Sequence, residues 1–308
     1  MTNTLFDEVK NLATEQRNPR SMNMDQLGTA DILKLINAED ALVAEAVKQE
    51  IPHITAVVEE LVSRIPQGGR LIYVGAGTSG RMGVVDAAEC PPTFGTDPSM
   101  VRAIIAGGDQ AVFAAQEGAE DKPEAGATSI RELNVSALDV VIGIAASKRT
   151  PFVLGALEQA RALGAYTVLL TTNPRASVDH THLSESICPV VGPEVLMGST
   201  RMKSAVAQKM VLTMITTTTM VRLGKVYENM MVDLQLTNEK LKERAKRILM
   251  IITERDESEA GLLLKEAGGH VKTAIVMAKL GLSKEEARTR IDEAHGFVRG
   301  ALNANERS

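Results

Sequence analysis

Residues 70–81, RLIYVGAGTSGR, decide the fold, because an apolar run ends there in a glycine-rich turn and a helical segment follows. Similar apolar runs stand at 101–107, 139–146 and 165–172, each followed by a helical segment, and ICPVVG at 187–192 predicts a fifth strand. Continuous apolar strands that alternate with helices are typical of a parallel sheet covered on both faces. The sequence therefore predicts an α/β fold with a parallel five-stranded sheet and helices on both faces.

The glycine-rich turn predicts an anion site. Gly75, Gly77 and Gly80 spell G-x-G-x-x-G, and the backbone N–H groups at the start of the following helix suit a phosphate. A dinucleotide site also needs an acidic residue about 20 positions further on. Asp109, at the end of the next predicted strand, lies too far away. A dehydrogenase is therefore disfavoured.

Hydroxyl side chains at the strand ends indicate a terminal phosphate monoester instead. Thr78 and Ser79 stand within the glycine loop. A second loop, AASKRT at 145–150, follows the third strand, and carboxyl ends of parallel strands meet at one edge of a sheet. It offers charge and hydroxyls from Ser147, Lys148, Arg149 and Thr150. The alternative is a solvated loop that caps the following helix.

Two carboxylate clusters follow the first two strands. Asp86 and Glu89 share a helix face, and Pro91-Pro92 is predicted to stop that helix. Glu89 would then face the negative end of the helix dipole, which suits a general acid. The second cluster is Glu117, Glu120 and Asp121. The alternative for each cluster is an exposed helix end.

Composition excludes several classes of protein. The net charge of -5 and the absence of a basic run argue against a nucleic-acid surface. Cys90 and Cys188 are too few for a disulfide framework, and the five His are scattered, which argues against a metal site. No apolar stretch suits a membrane span or a signal peptide, so a cytoplasmic enzyme is expected.

The chain is predicted to have three parts. Residues 1–54 form an N-terminal helical region, 55–252 the phosphate-binding domain and 253–308 a unit of three short helices. The Met- and Thr-rich stretch 199–234 is predicted to be one long helix, and its apolar breadth suits packing against a second subunit.

Ordered motifs over nearly the whole chain resemble those of the N-acetylmuramic acid 6-phosphate etherases, in the sugar isomerase (SIS) fold family. They are EQRNP, YVGAGTSGR, DAAECPPTFGT, IAGG with EGAED, GIAAS with RTP, GPEVLMGSTRMK and ENMMVDLQLTNEKL. The resemblance implies a flavodoxin-like three-layer sandwich with a small C-terminal UBA-like three-helix unit. It also implies a homodimeric lyase without metal or redox cofactor. Such enzymes convert N-acetylmuramate 6-phosphate to N-acetylglucosamine 6-phosphate and D-lactate in peptidoglycan recycling.

Motif matching also carries residue roles over to this chain. The family's proton-donor glutamate falls on Glu89 of ECPPT, and its second catalytic glutamate falls on Glu120 of EGAED, which we interpret as the base at C2 of the sugar. One glutamate serving both steps is the alternative. Arg17 and Asn18 are expected to reach a neighbouring subunit's site.

The resemblance places phosphate binding on the two loops at the strand ends. The residues are Thr78, Ser79, Ser147 and Thr150 with the backbone N–H groups of Gly77 and Gly80, and Arg149 adds charge. Further along, GSTRMK is expected to contact the sugar or the lactyl group through Ser199, Thr200, Arg201 and Lys203.

Three departures from the family pattern stand out. Lys148 occupies a position where the family usually has Gly, so its Cβ constrains the loop or its ammonium adds a phosphate contact. Ala205 and Val206 stand where Gly-Thr is expected, and Met197 stands where Thr is common. None of these changes removes a candidate catalytic glutamate.

Two other functions remain open from the sequence. A sugar-phosphate sensor on the same fold would keep the phosphate loops but would not need both glutamates. A ketose–aldose isomerase shares the proton chemistry at C2 but needs no acid for a leaving group at C3. Glu89 together with Glu120 favours the etherase.

Overall fold

The computed structural model describes residues 10, 12–236 and 238–303. The chain folds into two compact units. The first comprises Met1–Ala87 with Ser99–Thr216, and the second comprises Ala88–Pro98 with Thr217–Ser308. The three-part division expected from the sequence stays a prediction.

The first unit is built on a five-stranded sheet. Its strands are β1 (Leu71–Gly75), β2 (Val101–Ile105), β3 (Val140–Ile144), β4 (Tyr166–Leu170) and β5 (Glu185–Ile187). Their order is β2-β1-β3-β4-β5, and every pairing is parallel. All residues of the central strands β1 and β3 are buried, as expected for strands covered on both faces. The fold class predicted from the sequence is confirmed.

The fifth strand lies earlier in the chain than expected. β5 ends at Ile187, whereas the prediction began there and ran to Gly192, so that prediction is wrong. Pro189 has no backbone N–H to donate to a neighbouring strand. The N–H of Cys188 already leaves the ladder and donates to Glu50 Oε2 at 2.7 Å.

Helices flank this sheet. They are α1 (Thr29–Asp40), α2 (Val43–Lys48), α3 (Ile51–Arg64), α4 (Gly77–Phe94), α5 (Gln110–Phe113), α6 (Pro123–Glu132), α7 (Pro151–Ala162) and α8 (Lys203–Arg222). The packing is close where α7 meets the sheet. A Cβ on Gly143 of β3 would lie 2.6 Å from Val153 Cγ1, so only glycine allows this approach.

Helix α4 continues through Pro91-Pro92, so the prediction that this pair stops it is wrong. The two prolines forgo the N–H bonds to the carbonyls one turn earlier, but their fixed φ is helical. The helix ends at Gly95 instead, with φ 62° and its N–H bonded to Pro91 O at 2.9 Å. A Cβ on Gly95 would lie 2.1 Å from Asp233 O, so glycine is required there.

The second unit contains a short antiparallel hairpin and a helical bundle. The elements are β6 (Val226–Tyr227), β7 (Met230–Met231), α9 (Glu239–Thr253), α10 (Glu257–Glu266), α11 (Val271–Leu280), α12 (Lys284–Glu293) and α13 (Val298–Asn303). Capping boxes start α10 and α12. No helix in the described ranges is both long and apolar enough to cross a bilayer.

Two helix predictions for this part of the chain are wrong. The stretch 199–234 is not one helix, because α8 ends at Arg222 and Gly224 turns the chain with φ 73° into the hairpin. The last of the three predicted C-terminal helices is divided into α12 and α13. His295 and Gly296 break it with φ values of 51° and 85°, which an α-helix cannot contain.

Candidate active site

The glycine loop joins β1 to α4 in a tight turn. A Cβ on Gly75 would lie 2.6 Å from the Gly80 nitrogen, and a Cβ on Gly80 would lie 2.6 Å from Ile105 Cγ1. Gly77 has open space around it but adopts φ 52°. Two of the glycines are therefore needed for close approach and one for its backbone conformation. The predicted tight strand-to-helix turn is confirmed, and the helix starts at Gly77, within the glycine loop.

The start of α4 presents donors at the carboxyl edge of the sheet. The Gly80 N–H donates to Ala76 O at 3.1 Å. The amides of Gly77, Thr78 and Ser79 precede that bond, so they have no carbonyl one turn back within the helix. Thr78 and Ser79 are half-buried. Donors and hydroxyls in this arrangement suit an oxyanion.

The hydroxyl loop 145–150 leaves the sheet beside the glycine loop. Ile144 at the end of β3 pairs in register with Gly75 at the end of β1. Ser147 and Thr150 are half-buried there, and Thr150 precedes α7 without donating or accepting a side-chain capping bond. The two predicted phosphate loops are thus neighbours at one sheet edge.

Lys148 holds the hydroxyl loop in a left-handed turn. Its φ is 62°, and its N–H donates to Ala145 O at 2.8 Å. Its ammonium donates to the Ser177 carbonyl, in the loop after β4. A lysine carries a Cβ penalty in this conformation that glycine avoids.

The carbonyl of Ala146 anchors the same loop to residues after β4. It accepts from Thr171 Oγ1 at 2.9 Å and from Asn173 Nδ2 at 2.7 Å. Both donors are buried, and Asn173 Oδ1 in turn accepts from the Ala13 N–H at 3.0 Å. Sequence reasoning missed this anchor. Its only signal was a run of polar residues, TTN, placed directly after an apolar strand.

Glu120 lies in the segment that follows β2, and this segment is hydrogen-bonded to the helix that follows β3. Its backbone carbonyl accepts from the Phe152 N–H at 2.9 Å, in the first turn of α7. Its side chain is exposed and, together with Gly77, lines a cavity of about 180 Å³. The structure therefore brings Glu120 to the glycine loop and to the helix that follows the hydroxyl loop.

Glu89 is exposed on α4, in the stretch 88–98 that belongs to the second unit. Because α4 runs on to Phe94, Glu89 does not lie in its last turn. The expected effect of the helix's negative end on Glu89 is therefore wrong, since the dipole effect is confined to the terminal turn.

Asp86, the other carboxylate of that cluster, serves the interior of the first unit. It accepts from Tyr73 Oη at 2.8 Å and from Thr216 Oγ1 at 3.2 Å. Burial raises the pKa of Asp86, and these hydrogen bonds offset only part of that effect. This carboxylate connects β1, α4 and α8.

Lys203 begins α8 and is 1 % exposed. Its Nζ lies 2.7 Å from Glu39 Oε2, and Glu39, also 1 % exposed, further accepts from Asn18 Nδ2 at 2.8 Å. Burial raises the pKa of Glu39, but Lys203, Asn18 and Arg20 together outweigh it and leave the pKa below its ordinary value. Lys203 therefore holds the loop before α8 to helix α1.

The rest of the GSTRMK motif is more accessible. Ser199 and Thr200 are half-buried and Arg201 is exposed. Of the N-terminal pair expected at a neighbouring subunit, Arg17 is exposed. Asn18 is 4 % exposed and bonds within its own chain, to Glu39 and to Pro193 O at 3.2 Å. In the described ranges no group of His, Cys, Asp and Glu is arranged to hold a metal ion.

Comparison with known proteins identifies the family. The chain is 56 % identical over 306 residues to an N-acetylmuramic acid 6-phosphate etherase of Salinibacter ruber, covering 99 % of this chain and 98 % of that protein. The chain belongs to the N-acetylmuramic acid 6-phosphate etherase family. The Cutibacterium acnes etherase is 52 % identical and covers 97 % of this chain and 99 % of its own length.

Two further matches cover part of the chain. Residues 53–161 match the family model of the glucokinase regulatory protein N-terminal SIS domain. A solved phosphoheptose isomerase from Francisella tularensis aligns with a TM-score of 0.46 and 16 % identity, over 64 % of this chain and 98 % of that chain. The two nearly full-length etherase relatives confirm the resemblance that the motifs predicted.

Proposed function

We propose that this protein cleaves the D-lactyl ether of N-acetylmuramic acid 6-phosphate, releasing N-acetylglucosamine 6-phosphate and D-lactate. The observation that carries the proposal is the 56 % identity to a named etherase across 99 % of the chain. The activity is that of a carbon–oxygen lyase in amino-sugar recycling. We further propose that it works in the cytoplasm as a homodimer.

The phosphate of the substrate is assigned to the two neighbouring loops. The amides of Gly77, Thr78 and Ser79 and the hydroxyls of Thr78 and Ser79 surround it on one side, whereas the Gly80 N–H, also expected there from the sequence, already donates to Ala76 O at 3.1 Å. On the other side stand three half-buried residues of the hydroxyl loop, Ser147, Arg149 and Thr150. The in-register pairing of β1 with β3, which sets these loops side by side, supports the assignment. Ser199, Thr200 and Arg201 are assigned to the sugar or lactyl group.

The chemistry requires one base and one acid. Opening of the sugar ring exposes an aldehyde, which makes the C2 proton acidic. Glu120 removes that proton, the C3–O bond breaks, and Glu89 protonates the departing lactyl oxygen. Water then adds to C3 of the unsaturated aldehyde and restores a hydroxyl. The exposed position of Glu120 beside Gly77 in one cavity supports its role.

The direct test is proton NMR of the protein with N-acetylmuramic acid 6-phosphate in deuterated water. Release of D-lactate with deuterium at C2 of the sugar product is the expected result. Exchange at C2 without lactate would indicate an isomerase, and saturable binding with neither change would indicate a sensor. Either of these outcomes would overturn the proposed function.

The two glutamates can be separated in the same assay. Glu89→Gln and Glu120→Gln are each expected to lower kcat by about 10²- to 10⁴-fold, the usual contribution of a general acid or base. Exchange at C2 should survive in Glu89→Gln and disappear in Glu120→Gln. Glu124→Gln, at an exposed position in the first turn of α6 and outside the lining of this cavity, is the control and should keep its activity. Near-normal kcat in either variant would contradict its assigned role.

A further inference from the structure

The cavity that contains Glu120 has three charged side chains in its lining, two acidic and one basic. It opens at the carboxyl ends of β1 and β2 and has a volume of about 180 Å³. Glu117 and Glu120 are the carboxylates in its lining, and Arg81 is the single cation there. A second anion could enter beside two carboxylates only if a cation balanced it.

Arg81 is held with its outer nitrogens available. It lies on α4 just after the glycine loop, and its side chain is half-buried. Its Nε donates to Val112 O at 2.9 Å, which fixes the plane of the guanidinium. The described part of the chain gives the two Nη groups no hydrogen-bond partner. A guanidinium anchored by Nε presents its Nη groups as paired donors, the geometry that carboxylates accept.

The proposed substrate carries two anionic groups, a phosphate and the carboxylate of the lactyl ether. The product sugar phosphate has lost the second of these. The amides and hydroxyls of the two loops suit the phosphate, but they offer no cation at the acidic cavity. Arg201 does not line this cavity. The lactyl group is attached at C3, next to the C2 proton assigned to Glu120, so its carboxylate needs a partner in or beside the cavity that Glu120 lines.

We propose that Arg81 binds the lactyl carboxylate, and so distinguishes the ether substrate from its sugar-phosphate product. This inference rests on the proposed function. Arg81 offsets the repulsion between the substrate's carboxylate and Glu117 and Glu120, and it holds the lactyl ether so that C2 of the sugar faces Glu120. Arg81 therefore determines specificity for the ether, whereas the glycine loop and the hydroxyl loop bind the phosphate.

The test compares two ligands in wild type and Arg81→Gln. The substrate is N-acetylmuramic acid 6-phosphate, and the comparison ligand is N-acetylglucosamine 6-phosphate, which has the phosphate but no carboxylate. Arg81→Gln should raise KM for the ether about 10- to 100-fold, as expected for loss of a charge-assisted bidentate pair. The Kd for the product should change less than about twofold. Equal weakening of both ligands would place Arg81 on the phosphate, and no change in either would remove it from the site; both outcomes overturn the inference.

A control variant and a modified substrate complete the test. Arg102→Gln, on an exposed position of β2, is the matched control and should leave both ligands unaffected. If Arg81→Gln fails to fold, wild type is assayed with an ether whose carboxylate is replaced by a carboxamide. Wild type should bind this ether about 10- to 100-fold more weakly; equal binding would overturn the inference. If wild type releases no lactate from the natural ether, the proposed function fails instead.

Discussion

Two helices that begin in the first unit, α4 and α8, follow loops rich in glycine and hydroxyl residues, yet their N-termini are used differently. At α8 the N-terminus is occupied from within, because the buried Glu194 accepts from the N–H groups of Lys203 and Ser204, each at 2.9 Å. At α4, no carboxylate of the described residues accepts a hydrogen bond from the N–H groups of the first turn. The chain's own anion thus fills one site, and the other is left for a ligand.

Two lysines in these hydroxyl-rich parts of the chain also differ, in burial and in the group that each contacts. Lys203 is buried against Glu39 at 2.7 Å. Lys148 is half-buried and donates to a backbone carbonyl, that of Ser177. The composition of a loop therefore does not show whether its lysine is available to bind a ligand. Availability depends on which groups the fold places next to the ammonium.

The largest expected effect comes from breaking the buried pair at α8. Lys203→Met should lower the free energy of unfolding by about 3 kcal/mol, because it leaves Glu39 buried with less compensation. Urea denaturation measures this. Lys209→Met, at an exposed position of the same helix, is the control and should change stability by less than about 0.5 kcal/mol. Equal effects of the two substitutions would contradict the contrast between buried and accessible lysines.

A second change empties the anion site at α8 itself. Glu194→Gln should cost about 2 kcal/mol, because the amide keeps one acceptor but turns a donor toward a backbone N–H and loses the charge. Urea denaturation of Glu194→Gln and of wild type measures this difference. A variant as stable as wild type would mean that the carboxylate does not stabilise the start of α8.

At α4 the expected effects are smaller, because the glycine loop has open space at Gly77. Gly77→Ala should cost about 1 kcal/mol, since its φ of 52° disfavours a Cβ and nothing within 4 Å would clash. Gly261→Ala is the matched control, because Gly261 lies inside helix α10 and a Cβ there would make only an ordinary contact, at 3.7 Å to Lys246 Cδ, so this change should not destabilise the protein. Thermal unfolding of the two variants checks the difference.

The smallest effect is expected at Lys148, where the hydroxyl loop has the conformation that Gly77 has in the glycine loop. Lys148→Gly should raise the free energy of unfolding by about 0.5 kcal/mol, because relief of the left-handed strain exceeds the loss of an exposed hydrogen bond. Lys148→Ala keeps the strain and loses the bond, so it should be the less stable of the two by about 1 kcal/mol. A Lys148→Ala variant as stable as Lys148→Gly would show that the loop relaxes.

Much of the first unit could be read from local sequence. The runs that became β1, β3 and β4 are almost continuously apolar because both faces of the sheet are covered there, and each ends where a polar or glycine-rich loop begins. The edge strand β2 differs, since it contains the exposed Arg102. Helix ends were harder to predict. Pro91-Pro92 suggested an end that Gly95 provides, and the short hairpin after Gly224 has no periodic signal of its own.

By itself, the sequence determined the parallel sheet and the glycine turn, because periodicity and spacing along the chain encode them. It also contained the motifs that resemble those of the etherase family. Tertiary structure alone decided which charged residues remain available. Glu39 and Lys203 are 164 positions apart, and their pairing depends on α1 packing against the start of α8. The same holds for Arg81, whose orientation depends on Val112, 31 positions away. Burial and pairing are properties of the packed chain, since a side chain's cost of leaving water depends on what the fold places beside it.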